Sequence, residues 1–204
     1  MNKSFKTYFK EAKDTKEKLY LLALNSYLKT GAHHTNFQTL ANELEISQAA
    51  IYKHFKNKED LLVQSIKYAA DIGKEIIDSK EEINDPAIKK LQNYLKTNLE
   101  FCTEHQPFAV ALITLHYFAA CIPEVKKLHE EINARRIAKI ESFLNEASHE
   151  KSISISNLSD SSELIHSLLM GEMIKTFLWP DIENINARFK KLNTGVLLLI
   201  NFKS

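Results

Sequence analysis

Apolar residues recur along most of this chain at the three-and-four spacing of a helix, and scarcely anywhere at the two-residue alternation of a strand. In the Lys-rich leader, residues 1–13, Phe5, Tyr8, Phe9 and Ala12 follow i, i+3, i+4, i+7 and predict a short amphipathic helical segment. A helix start follows: Asp14 or Thr15 is a capping residue, and Glu17 stands three after Asp14 as in a capping box. Leu19, Leu22, Ala23 and Tyr27 give that helix its buried stripe, and Gly31 ends it. Asn36 caps a helix over 37–44, Ser47 one over 48–55, and Asn57 one that places Leu61, Leu62, Ser65, Ile66 and Ala69 on one face. Asp85-Pro86 opens a helix to about His105, with the proline at the first helical position. Pro107 opens one to about Cys121, and Pro123 a long charged one to about His149. Ser152 to Asn157 reads as a loop. Asp160 with Glu163 starts a helix to about Trp179, Pro180 breaks it, and a last helix runs from about Glu183 to Phe202. The pattern predicts an all-α chain of about nine helices.

Composition narrows the class. Only four Gly and four Pro interrupt the chain, and 44% hydrophobic residues suffice for a core. No uninterrupted apolar run reaches about eighteen residues, so no membrane span is expected, and the leader never develops the apolar run of a secretion signal. The two cysteines, Cys102 and Cys121, suggest no disulfide framework, and a reduced cytoplasm is the expected compartment. Net charge is only +1, but residues 1–60 hold ten Lys+Arg against seven Asp+Glu, a local +3 that a polyanion would prefer.

The segment 35–55, TNFQTLANELEISQAAIYKHF, places two short helices around a turn of a few residues. Ala41 is small where the helices must touch. Leu40, Leu44, Ile46 and Ile51 form an apolar wedge, and Ser47 caps a second helix whose N-terminus points outward. This is a helix-turn-helix, which presents its second helix to a major groove. From Thr15 to Leu62 the pattern resembles the N-terminal domain of the TetR family. The match rests on Gly31 at the end of a capped helix, Leu40-Ala41, Ile46-Ser47, Ile51-Tyr52-Lys53-His54-Phe55 and Lys58-Glu59-Asp60-Leu61-Leu62. One position departs: Glu45 stands in the turn where the family often has Gly, at a strain of roughly 1 kcal/mol if its φ is positive.

The resemblance implies two functional domains, DNA-binding over 1–60 and effector-binding with dimerisation over 61–204. It implies phosphate contacts from Tyr52 and Lys58, the latter at a helix N-terminus that favours anions. Asn36 and Gln38 are further phosphate candidates. Gln48, Ala49 and Lys53 are candidates for base edges, since Gln pairs with adenine and Ala touches a thymine methyl. His54 suits either contact. Lys3, Lys6, Lys10 and Lys13 are either a minor-groove arm or a solvated tail.

The family layout further implies a homodimer through the last two helices, with Leu164, Leu168, Gly171, Val196, Leu199 and Ile200 as interface candidates. A pocket among the middle helices would draw on Phe101, His105, Phe108, Leu112, His116, Tyr117, Met170 and Phe177. That lining suits a largely hydrophobic or aromatic effector. The expected partners are therefore an operator in double-stranded DNA, a small-molecule effector and a second copy of the chain, with no cofactor. Two rivals of the same fold stay open: a metal or redox sensor using Cys102, His105, His116 and Cys121, and a scaffold without effector binding. No Gly-rich phosphate loop, HExxH motif or nucleophile elbow occurs, so catalysis is not expected.

Overall fold

The computed structural model describes residues 5–31 and 35–201. Among them it has ten α-helices and no strand: α1 Phe5–Glu11, α2 Thr15–Thr30, α3 Phe37–Leu44, α4 Gln48–Tyr52, α5 Lys58–Asp78, α6 Ala87–Glu104, α7 Gln106–Ala119, α8 Pro123–His149, α9 Leu158–Leu178 and α10 Ile185–Leu199. The all-α class agrees with the spacing of apolar positions. The leader accounts for the tenth helix. Lys3 and the expected helix end at Phe202 lie outside the described residues. The chain forms two compact units, Met1–Gly73 with Glu104–His129, and Lys74–Thr103 with Glu130–Ser204.

The first unit is built on α2 packed against α7. Local capping sets its helix starts. The Glu17 amide donates to Asp14 Oδ1 at 2.8 Å while Glu17 Oε2 accepts from the Lys13 amide at 2.8 Å, the reciprocal box that satisfies two otherwise orphaned donors. Leu19, Leu21, Leu22, Ala23 and Leu24 are each 4% exposed or less, so one whole turn of α2 is sealed in the core. Gly31 ends the helix at φ 81°, ψ 155°, not in the left-handed helical region but in an extended positive-φ conformation open essentially to glycine alone. Tyr20 stacks on Tyr68 of α5 at 4.9 Å and meets the edge of Phe55 at 5.6 Å, tying three segments together. α1 lies on α2, and its Tyr8 hydroxyl hydrogen-bonds His105 Nδ1 while its ring meets Phe108 edge-on at 4.6 Å. Burial, then the charges of Glu11 and Glu104, push the Tyr8 pKa up to about 12. The phenol therefore keeps its proton at neutral pH.

The second unit pairs α9 with α10. Here capping is partly long-range. Asp85 turns its carboxylate to Lys89 and Asn93, and the Ala87 amide at the start of α6 is instead taken by both oxygens of Glu150, at 3.1 and 3.3 Å. Lys90 pairs with Glu146 at 2.7 Å alongside it. α9 starts earlier than the Asp160–Glu163 pair suggests: Asn157 is the cap, accepting from the Asp160 amide at 3.2 Å. Pro180 does end α9. Across the connection Arg188, 4% exposed, donates to the carbonyls of Trp179 at 2.9 Å and Glu183 at 3.3 Å, and lies 3.8 Å from the Glu172 carboxylate.

Between α3 and α4, Glu45 adopts φ 54°, ψ 39°, the left-handed conformation, and the Ile46 amide reaches back to the Ala41 carbonyl at 3.0 Å. This is a Schellman closure with glutamate in the position glycine usually takes. Relief of roughly 1 kcal/mol of strain in Glu45→Gly is offset by about 0.4–1 kcal/mol of added unfolded-chain freedom, so stability should stay level or rise slightly. Glu45→Val, β-branched and less tolerant of positive φ, should lose roughly 1 kcal/mol or more. Urea denaturation of both variants checks the pair of signs.

Candidate nucleic-acid interface

A helix of five residues has too few hydrogen bonds to hold its own shape in water. α4 is held from behind. Ile51 is fully buried and Phe55, just beyond the helix, is 1% exposed, against Leu40 and Ala41 of α3, also 1% exposed. Burying Ile51 and Phe55 stabilises the unit by roughly 1.5–3 kcal/mol each, as an upper estimate. Ser47 caps the front by accepting from the Ala50 amide at 3.2 Å. Anchoring one side leaves the other free: Gln48, Ala49, Tyr52 and Lys53 are all exposed on the opposite face. Tyr52 is 58% exposed, yet its ring meets Phe37 edge-on at 5.0 Å, so packing aims the side chain without covering it. His54 and Lys58 are exposed beside this row.

The remaining candidates have structural duties as well. Asn36 Oδ1 accepts from the amide and hydroxyl of Thr39 at 2.8 and 3.0 Å, capping α3. Gln38 is exposed and donates to Asn42 at 2.8 Å. Lys58 starts α5, a 21-residue helix whose aligned peptide dipoles favour an anion at that end. It borders an open depression of about 300 Å³ shared with Tyr27, Thr35, Leu61 and Phe118. That end is fixed by a second reciprocal box. Asn57 accepts from the Asp60 amide at 2.8 Å, and the Asp60 carboxylate accepts from the Lys56 amide at 2.9 Å and Gln64 at 2.7 Å.

Residues 22–64 match the family model of bacterial regulatory proteins of the tetR family. Over those residues the chain is similar to the N-terminal, helix-turn-helix part of that family. YerO of Bacillus subtilis (strain 168), an uncharacterised HTH-type transcriptional regulator, is 29% identical over 103 residues, which cover 50% of this chain and 36% of that protein. The chain thus spans about a third of that curated relative. Among solved structures, a protein of Saccharomonospora viridis in complex with choline superposes with a TM-score of 0.82 at 14% identity, over 93% of this chain and 98% of that one. The fatty acid degradation regulator FadR of Bacillus halodurans superposes at 0.76 and 15% identity, over 94% and 100%. These two show a shared fold.

The eight effector candidates divide between the units. In the first, His105 is held by Tyr8, and Phe108 and Leu112 are buried core. His116 donates from Nδ1 to the Leu112 carbonyl at 2.6 Å and meets the His129 ring at 4.8 Å, and Tyr117 is 59% exposed. In the second, Phe101 and Met170 are buried and Phe177 is half-buried. Among the described residues no three His, Cys, Asp or Glu side chains converge as metal ligands, and no helix is long and apolar enough to cross a membrane. Of the interface candidates, Leu164, Leu168 and Gly171 are exposed on α9, and Leu199 is half-buried. Val196 and Ile200, 1% and 0% exposed, turn into their own unit, because α10 must bury a face against α9. The sequence reading missed Leu198, 73% exposed, and Gly195, which shares a shallow groove of about 280 Å³ with Leu168 and Gly171. The three-residue offset between Gly195 and Leu198 was the available signal.

Burial opposes ionisation of Asp60, but hydrogen bonds from Gln64 and the Lys56 amide, with the charges of Lys56 and Lys16, hold its pKa below the ordinary carboxylate value. A depressed folded pKa means its contribution is present above the unfolded value, near 3.9, and fades as pH falls through the lower folded one. Asp60→Asn should therefore lower stability at pH 7, by less than about 1 kcal/mol because solvent screens a mostly exposed carboxylate, and progressively less below about pH 4. Urea denaturation across that range checks the slope.

Proposed function

We propose that this chain is a homodimeric, cytoplasmic transcription regulator that binds a near-palindromic operator and releases it when a small, largely hydrophobic effector binds. The observation that carries the reading is the exposed row Gln48, Ala49, Tyr52 and Lys53 on a helix whose other side is sealed into the core. Such a helix has surplus polar donors and no internal use for them, which suits a groove lined with base edges and phosphates. Tyr52 and Lys58 contact phosphate and position the unit; Gln48, Ala49 and Lys53 read bases; Asn36, Gln38 and His54 flank them. Two copies place their α4 helices in successive major grooves, roughly 34–36 Å apart.

The α9–α10 face supports the dimer. Leu164, Leu168 and Leu198 are 53%, 47% and 73% exposed, a larger apolar outlay than scattered surface leucines. A Cβ built on Gly171 or Gly195 meets nothing within 4 Å, so space remains there for a second copy to approach. Release follows if the effector binds the conformer with the wrong helix spacing better than the right one, and it shifts the balance only by that difference in affinity.

Fluorescence anisotropy against duplex from upstream of the chain's own coding sequence, across a salt series, tests the DNA reading. Tyr52→Phe, which keeps the packing on Phe37, and Lys58→Ala should each weaken binding about five- to tenfold at every sequence, with Lys58→Ala lowering the salt slope by about one. Gln48→Ala should instead change the selected site. Equal binding of wild type and variants to random duplex at all salts would sink the assignment. Leu168→Glu with Leu198→Glu should give a folded monomer in sedimentation and abolish tight operator binding; a dimer that persists would move the interface elsewhere.

A further inference from the structure

The second unit treats its two inward arginines differently. Arg188 is answered by two carbonyls and a carboxylate. Arg136, on α8, is not. Its one hydrogen bond among the described residues runs from Nη1 to the Met170 thioether at 3.2 Å, a weak acceptor, and no carboxylate pairs with it. Desolvation pulls its pKa down, and the nearby charge of Arg135 adds to the strain, yet a guanidinium does not give up its proton in a protein. Two groups beside it are capable of becoming anions. Burial raises both, the Cys102 thiol to about 12 and the Tyr94 phenol above its ordinary value, so both stay neutral. Among the described residues the Arg136 guanidinium thus has no anion to pair with.

A second unmet group sits on the same α6 face, between Tyr94 and Cys102 at four-residue steps. Asn98 is 1% exposed; its Nδ2 donates to the Tyr94 carbonyl at 2.9 Å, and its Oδ1 has no hydrogen-bond partner. Native interiors pair their buried polar atoms, and a charge left unmet is the costliest exception. Arg136 is also not sealed: part of its surface stays accessible despite the desolvation around it. The flanking positions Leu95, Leu99, Phe101 and Met173 are buried and apolar.

We propose that Arg136 and Asn98 read the head group of the effector, and that the effector is an apolar carboxylic acid. This rests on the effector-responsive reading above. The planar guanidinium takes both carboxylate oxygens at once. Asn98 Oδ1 accepts from a hydroxyl or amide N–H next to the carboxylate where the acid carries one, and the apolar helix faces take its body. A phosphate dianion would set two negative charges against one arginine fork and suits the site less well.

Octanoate, decanoate and phenylacetate are titrated into the full chain by calorimetry and thermal shift, each against its uncharged alcohol, with octylammonium as a cation. At least one acid should raise Tm and bind ten times or more tighter than its alcohol, and octylammonium should not bind. Arg136→Met, similar in volume, should lose that tenfold preference, leave alcohol binding unchanged, and match or exceed the wild-type Tm without ligand. If no acid outbinds its alcohol on the wild-type chain, a comparison that needs no variant, the proposal falls. It falls equally if Arg136→Met keeps the acid preference or is destabilised without ligand, since the arginine would then be a structural group. Anisotropy on the same samples separates the two readings: DNA binding without acid binding sinks only this proposal, and acid binding without DNA binding sinks only the regulator.

Discussion

The first unit's exposed row depends on the anchoring of α4 by Ile51 and Phe55. A single turn of helix has no cooperative stability of its own, so its position is a tertiary property, set by two side chains that are 0% and 1% exposed. Everything outward follows from that. The exposed row is presented because its back cannot rotate away without exposing those two residues to water. Capping refines the placement: Ser47 at one end and the Asn57–Asp60 box at the start of the next helix hold the chain on both sides of the short segment.

What was legible in the sequence was local. Asp14 with Glu17, Asn36 and Ser47 are caps whose partners lie three residues away, so spacing alone reveals them. The strained turn at Glu45 was equally visible, because the helix on one side and the cap on the other leave one residue to make the bend. What was not legible was contributed from afar. The start of α6 is satisfied by Glu150, 63 residues downstream, while the adjacent Asp85 has other partners. His105 looks like a spare polar group in an apolar stretch, but its partner is Tyr8, 97 residues away. In α10 the run Val196 to Ile200 is apolar all round, and only packing against α9 decides that Val196 and Ile200 face inward and Leu198 outward. Arg136 stood in a charged stretch that reads as a solvated face.

The two units handle charge in contrasting ways. In the first, the polar side chains described above mostly serve helix ends or solvent. In the second, two arginines enter the interior, and only Arg188 finds the carbonyls and carboxylate that make such a position sustainable. The burial that keeps Cys102 and Tyr94 protonated also disfavours the Cys102 thiolate, the form a redox-active thiol needs.

Gly171 and Gly195 have a consequence for how variation in this chain would be scored. Each sits inside a helix, where alanine is favoured by roughly 1 kcal/mol, and the folded subunit offers no steric objection to the added methyl. A screen that selects on the folding of single subunits would reward alanine at both positions and record them as improvements. If the pair is kept open for a second copy, the same substitutions would be penalised only where assembly is selected. Tolerance maps from the two kinds of screen would then differ at these residues while agreeing across the core, and the disagreement itself would trace the outline of the interface.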